Sequence, residues 1–367
     1  MKVLHFYKTY FPDTFGGVEQ FIFELSNGLS ANDVASNVLS LSSNIQTNVE
    51  DSGNEKYRVK TNFKIASTDF SISAFKEFKR LSNQADIIHY HFPWPFMDLV
   101  HFASQVKKPS VVTYHSDIIR QKNLLLLYRP LMNFFLNDVD AITVSSPNYL
   151  NSSAILQKYK SKVEVIPFGI SDKKINSQND KHAYWKNLLG DRFFLFLGVH
   201  RYYKGLHYLM DALAIEEFPI VIAGDGPQTK ELIELAQKNN LKKIQFIGEI
   251  SDEDKDAIFQ LSYAFVFPSH LRSESFGLSL LEAAMYGKPM ISCDIGTGTS
   301  FINLNNETGI VVPPESAPAL QEAMSCMWSN PVDAERMGTA ARQRYLNIFT
   351  KETMCQRYLD LYKKLID

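Results

Sequence analysis

A chain of 367 residues exceeds what one ordinary hydrophobic core supports, so two domains are expected. With 45% hydrophobic and 21% charged residues, the composition is globular and excludes intrinsic disorder. A formal net charge of -2 excludes a nucleic-acid binder that draws its affinity from phosphate neutralisation, but a local Lys/Arg cluster still suffices to hold one small anion.

Three cysteines, Cys293, Cys326 and Cys355, stand far apart with no CxxC pair. Neither a disulfide framework nor a zinc site is expected, and a reducing cytoplasm fits. The N-terminus MKVLHFYKTYFPD breaks its apolar run at Lys8 and has no small-residue cleavage site, so it does not read as a signal peptide. No apolar run approaches the roughly 18 residues that cross a bilayer, so any membrane contact is expected to be peripheral.

Along the chain, short β-branched and aromatic runs alternate with helix-period segments, the pattern of parallel sheets with helices on both faces. The first strand is Lys2 to Tyr7. A loop with Gly16 and Gly17 follows, and then Val18, Phe21, Ile22, Leu25 and Leu29 recur at helical spacing. The Gly pair lets backbone approach a phosphate or sugar closely, although a bare turn explains it equally well. Without a third Gly at the right spacing it is not a dinucleotide fingerprint.

Strands are expected at Val38 to Leu41, Ile87 to Tyr90, Val111 to Tyr114, Ala141 to Val144 and Val163 to Ile166, with helices around Phe75 to Leu81, Leu124 to Leu136 and Pro147 to Tyr159. His89 and His91 alternate on one strand end. With no carboxylate or Cys nearby they make a poor ligand set, and no metal is expected. His115 falls at the carboxyl edge of a strand, where open parallel sheets place ligands; bonding to neighbouring backbone is the other reading. Asp117 is close enough to orient His115 or to face a second substrate. Residues 118–136, IIRQKNLLLLYRPLMNFFL, bracket a Leu cluster with Arg120, Lys122 and Arg129. The stretch reads as a core helix, or as a basic apolar helix lying on an anionic membrane surface.

Residues 171–186 turn polar and read as a linker or the first helix after one. The alternation restarts at FFLFLG and continues through PIVIAG, IQFIG, AFVFP, PMISC and GIVVP. In LGVHRYYKGLHYL (197–209), a strand runs into a basic loop where Arg201 and Lys204 are placed to clasp phosphate oxygens. The last stretch, Thr350 to Leu365, has one apolar face.

The most informative segment is SESFGLSLLEAAMYGKP, 273–289. A strand ends at Pro268 to His270, and a helix is expected to begin near Phe276 and stop at Gly287 in a left-handed cap. The unpaired N–H groups of its first turn, at Phe276, Gly277 and Leu278, would stabilise a diphosphate. Glu282, further along the helix, can accept from a vicinal diol such as a ribose. Glu274, just before the helix, can reach an attached sugar. Dipole partnering by Glu274 and solvation of Glu282 explain the same spacing.

Glu, seven residues, Glu, with Phe-Gly inside and Glu-Ala-Ala after, resembles the signature of retaining glycosyltransferase family 4. FGGVEQFIFEL (15–25), VVTYHSDI (111–118), VIPFGI (165–170), RYYKG (201–205), IAGDGP (222–227), ISCDIGTGTSF (291–301) and ETGIVVPP (307–314) line up in the same order, so the resemblance spans nearly the whole chain. It is strongest to the bacterial subgroup that builds surface polysaccharides, including O-antigen mannosyltransferases. One departure concerns the phosphate grip. The family has an Arg where this chain has Val199, with Arg201 two residues on, while Lys204 matches.

The resemblance implies an α/β fold of two Rossmann-like domains facing across a cleft (GT-B). Residues 1–170 would bind the acceptor, with the C-terminal helix (350–367) packed back on them, and 171–349 would bind the donor. It implies transfer of a hexose, pointing to mannose from GDP-mannose, onto a lipid-linked oligosaccharide at the inner face of the cytoplasmic membrane. Neither metal nor cofactor is implied. Glu274 and His115 would be catalytic. Gly17, Arg201, Lys204, Ser275, Phe276, Gly277, Leu278 and Glu282 would hold the donor, and Gly16, Glu19 and Asp117 would face the acceptor. A sugar-nucleotide epimerase or hydrolase on the same scaffold, and a non-catalytic scaffold of a biosynthetic complex, are the alternatives.

Overall fold

A computed structural model of the chain describes residues 1–43, 49–51, 54–65, 68–118, 122–173 and 180–367. Arg120, the Lys122 side chain and residues 174–179 of the expected linker lie outside the described residues. The chain divides into two compact units: Met1–Ser171 with Phe349–Asp367, and Asp172–Ile348.

The first unit runs β1 (Lys2–Phe6), α1 (Gly17–Ser30), β2 (Ala35–Ser42), β3 (Val49–Asp51), β4 (Asn54–Lys60), β5 (Phe63–Ile65), β6 (Thr68–Phe70), α2 (Ile72–Gln84), β7 (Ile87–Phe92), α3 (Pro95–Ser104), β8 (Ser110–Tyr114), α4 (Lys122–Asp138), β9 (Ala141–Val144), α5 (Pro147–Ser152) and β10 (Val163–Val165). Eight strands form one sheet in the order β10-β9-β8-β7-β1-β2-β4-β3. All neighbours are parallel except β3 and β4. β5 and β6 form a separate hairpin. The expected helix from Pro147 to Tyr159 is split: α5 ends at Ser152, and a 3-10 segment, Leu156–Lys162, leads into β10.

The second unit runs α6 (Asp180–Leu189), β11 (Phe194–Leu197), α7 (Leu206–Ile215), β12 (Ile220–Ala223), α8 (Thr229–Lys238), β13 (Ile244–Gly248), α9 (Asp252–Leu261), β14 (Ala264–Phe267), α10 (Leu278–Met285), β15 (Met290–Cys293), α11 (Thr299–Ile302), β16 (Gly309–Val312), α12 (Ala317–Ser329) and α13 (Pro331–Ile348). Its sheet is wholly parallel, in the order β13-β12-β11-β14-β15-β16. The inner strands read as unbroken apolar runs because both faces are covered, and β11, β12, β14 and β15 supply buried residues to the core.

The chain then returns to the first unit as α14 (Lys351–Ile366), capped by the Thr350 side chain. Met354, Cys355, Tyr358, Leu361 and Tyr362 form its buried face. Two of them also make polar contacts with the sheet. Tyr358 Oη lies 3.0 Å from Thr113 Oγ1 and 2.9 Å from Thr143 Oγ1, and Tyr362 Oη lies 2.6 Å from His89 Nδ1.

Candidate functional site

In the second unit, the chain adds β12 and β13 on one side of β11 and then opens the other side with β14. The switch point therefore lies between β11 and β14, where an open parallel sheet leaves room for a ligand beyond the strand ends. Lys204 follows β11 and Glu274 follows β14. Lys204 Nζ donates to Glu274 Oε2 across 2.5 Å, and their side chains are only 11% and 12% exposed. The ammonium also lies 4.8 Å from the centre of the Phe267 ring. Gly205, at φ +70, is what allows this approach: a Cβ there would run into the Pro268 carbonyl.

The helix after Glu274 begins at Leu278, two residues later than the sequence suggests. Gly277 is its N-cap at φ +99, and Phe276 is buried rather than helical. The loop after β15 holds this approach segment: Gly298 N donates to the Ser275 carbonyl at 2.9 Å, and Gly298 has no side chain to collide with the Phe276 ring. The first intrahelical bond runs from Leu281 N to Gly277 O, which leaves the N–H groups of Leu278, Ser279 and Leu280 without an intrahelical acceptor. At the other end Gly287, at φ +65, closes the helix as expected.

Glu282, one turn into α10, is partly buried and accepts from Lys255 Nζ at 2.8 Å. Lys255 also pairs with Asp252 at 2.9 Å. Burial works to lower the Lys255 value, but the Glu282 and Asp252 carboxylates outweigh it and push it up. Lys255 was not legible as a site residue, because it belongs to α9 and meets Glu282 only through the fold. Arg201 is exposed at the start of the 3-10 turn that carries Lys204, and its side chain has no ion-pair partner among the described residues. Val199 is likewise exposed.

In the first unit the switch point lies between β1 and β7. Gly16 caps α1 and Gly17 begins it, both exposed. Glu19 is turned into the loop between β1 and α1: Oε1 accepts from Thr9 at 2.9 Å and from Thr14 at 2.6 Å. A Cβ at Gly16 would come within 2.6 Å of Glu19 Oε2, so Gly16 makes room for that carboxylate. Asp117 Oδ1 accepts from Tyr114 at 2.8 Å and from Ser153 at 2.7 Å. The partner of the His115 ring is His91, whose Nδ1 lies 3.1 Å from His115 Nε2.

His5 joins this group from β1, directly opposite His89 in the parallel register. His5, His89 and His91 are fully buried, with ring nitrogens within 4.8 Å of one another. His89 is engaged at both nitrogens, by Tyr362 at 2.6 Å and Thr113 at 2.7 Å. His91 is also engaged at both, by His5 and His115, each at 3.1 Å. A cation at this place would have to displace those bonds.

Solved structures share this fold over the whole chain. Sucrose-phosphate synthase from Thermosynechococcus elongatus matches at a TM-score of 0.80 with 20% identity, covering 99% of this chain and 98% of that one. Anabaena HepE, solved in complex with UDP, matches at 0.79 with 14% identity, covering 99% and 100%. Two Rossmann-like units, each with polar side chains gathered at the switch point of its sheet, make up the GT-B fold.

The sequence narrows the class. Residues 15–174 match the profile of Glycosyltransferase Family 4, and residues 177–344 that of Glycosyl transferases group 1. The chain is 53% identical to the D-rhamnosyltransferase WbpZ of Pseudomonas aeruginosa over 352 residues, 95% of this chain and 92% of that one. It is 47% identical to O-antigen chain mannosyltransferase C of Escherichia coli over 370 residues, 100% and 99% of the two chains. The chain belongs to glycosyltransferase family 4, in its bacterial O-antigen branch, and is a hexosyltransferase of O-antigen biosynthesis.

Proposed function

We propose that the enzyme moves mannose from GDP-mannose to a hydroxyl of a lipid-linked oligosaccharide, with retention at the anomeric carbon. The observation that carries this reading is the Lys204–Glu274 pair at the switch point, beside the open amino end of α10. A diphosphate reaching the free N–H groups of Leu278 to Leu280 would draw the Lys204 ammonium, and Arg201 is free to add a second positive group. Glu274, released from Lys204, would then face the sugar, and Glu282 the ribose. From the family resemblance, His115 and Gly17 are assigned to the donor, and Gly16, Glu19 and Asp117 to the acceptor.

In the transfer, the bond from the anomeric carbon to the leaving phosphate oxygen breaks, and the acceptor oxygen bonds to that carbon from the same face. The acceptor proton passes to the leaving phosphate. Positive helix-end dipoles and Lys204 stabilise the charge that builds on the phosphate, a task that requires no metal ion. Transfer of D-rhamnose is the second reading, favoured by the 53% identity to a D-rhamnosyltransferase. The two sugars differ at the 6-position, where D-rhamnose lacks the hydroxyl.

The deciding experiment incubates the full chain with GDP-mannose or GDP-D-rhamnose, with and without a lipid-linked oligosaccharide, in the presence of a chelator. An acceptor-dependent product carrying an α-linked hexose supports the proposal. Consumption of the nucleotide sugar at the same rate without acceptor would identify a hydrolase or epimerase, and tight binding without turnover a scaffold.

A further inference from the structure

Three histidines of the first unit stand side by side. His5 lies on β1, His91 on β7 and His115 just beyond β8. His5 Nδ1 is 3.1 Å from His91 Nε2, and His91 Nδ1 is 3.1 Å from His115 Nε2. Neighbouring rings stack at 20° and 25°, with centroids 5.4 Å apart in both pairs. His5 and His91 are fully buried, while His115 is partly exposed. His5 Nε2, at the inner end of the run, is buried with no hydrogen-bond partner among the described residues.

Each ring-to-ring bond needs one proton and has space for only one. Burial keeps the rings neutral, so His91 carries a single N–H. If that proton is on Nδ1, it is donated to His115 Nε2, and His115 must carry its own proton on Nδ1. His91 Nε2 is then bare and requires a proton on His5 Nδ1. If the His91 proton is on Nε2, all three rings carry theirs on Nε2. Mixed arrangements put two protons, or none, into one bond. The three rings therefore share one tautomer, and the only His115 nitrogen left for a ligand is Nδ1.

The inner end of the run separates the two arrangements. With all protons on Nδ1, His5 Nε2 is a bare buried nitrogen. With all on Nε2, it is a buried N–H without an acceptor, the kind of orphan that folded chains avoid more strictly. We propose that His5 and His91 are positioning residues that lock His115 in its Nδ1–H tautomer, so that the ring offers a hydrogen-bond donor to an oxygen of the nucleotide sugar. The identity of the ligand rests on the function proposed above; the tautomer does not.

The test is nitrogen-15 NMR of the full chain with ring-labelled histidine at neutral pH and without substrate, with signals assigned from His5→Asn, His91→Asn and His115→Asn. Protonation of all three rings on Nδ1 is expected; a proton on His115 Nε2, or mixed tautomers, would overturn the proposal. So would a stoichiometric transition metal in the purified chain, because it would occupy the nitrogens that organise the protons.

His91→Phe removes the donor to His115. It should release the tautomer and lower kcat about 10-fold, the weight of roughly one hydrogen bond. His91→Asn places an amide N–H near the former Nδ1–H and should restore the tautomer and most of the rate. Equal loss in both variants with an unchanged His115 tautomer would reject the positioning role. Should His91→Phe fail to fold, the native-chain spectrum still decides. A chain with the expected tautomer that transfers no sugar counts against the transfer reading alone.

Discussion

Lys204 and Glu274 are joined 2.5 Å apart across the switch point of the second sheet, on loops that follow different strands. Because both side chains are largely covered, removing either leaves the other charge without its partner. Lys204→Met should therefore lower the melting temperature as well as the activity, with kcat/KM down about 100-fold or more, the range for removing one donor to a developing oxyanion. Glu274→Gln keeps a hydrogen-bonding group beside Lys204. It should remain folded and bind the nucleoside diphosphate within a few-fold of the native chain, yet lose kcat to a similar extent. Steady-state kinetics with calorimetric binding separates these effects. A Glu274→Gln enzyme with native kcat would remove Glu274 from the chemistry.

Glu282 presents a different case, because its partner Lys255 is shared with Asp252. If the carboxylate holds the ribose, it contributes equally to ground state and transition state, and its loss appears in KM. Glu282→Gln is expected to raise the donor KM about 10-fold with little change in kcat, as for one charge-assisted hydrogen bond. Lys255→Met should shift KM in the same direction by freeing the carboxylate to turn away. Unchanged donor KM in both variants would leave Glu282 with a purely structural role.

The parallel sheets were legible because runs such as FLFL, IVIA and AFVF are apolar on both faces and bounded by Gly or Pro. β4 was not: NEKYRVK lies toward the sheet edge and is mostly polar. α3 was missed because its Pro95 resembles a turn signal, although Pro at a first helical position needs no N–H partner. Among candidate site residues, spacing suggested Lys204 and, with the family resemblance, Glu274 and His115, but not what each touches. His5 was overlooked in an apolar strand, and its meaning emerges only from its pairing opposite His89 in the folded sheet. Glu19 shows the same limit: the sequence did not reveal that its carboxylate accepts from Thr9 and Thr14.

The histidine cluster should make the fold sensitive to acid. His5, His89 and His91 are fully buried, and burial lowers each, His5 to about 3. The unfolded chain takes up protons near the ordinary value of about 6.5, while the native chain does not. Stability is thus lost as pH falls below that value. Each such group contributes about 1.4 kcal/mol per pH unit once the unfolded form is protonated, so three give about 4 kcal/mol per unit. Melting temperature followed by circular dichroism should hold near pH 7 and drop steeply below about pH 6. A flat profile down to about pH 5 would show that these rings accept protons in the native state.

No helix among the described residues is long and apolar enough to cross a membrane. Yet Leu126 is 66% exposed, Leu127 80% and Phe134 67%, while Met132, Phe135 and Leu136 of the same helix are buried in the core. α4 thus has a core face and a second apolar face, with Arg129 exposed among the outward residues. An enzyme whose acceptor is lipid-linked would use such a face to rest on an anionic bilayer surface, with basic residues at the headgroups. The native chain is expected to float with vesicles containing anionic lipid, and less well as salt is raised. Leu126→Asp with Leu127→Asp should abolish flotation while leaving transfer to a short water-soluble acceptor intact, because neither side chain supports the core. Unchanged flotation of that double variant would assign the outward leucines to some other contact.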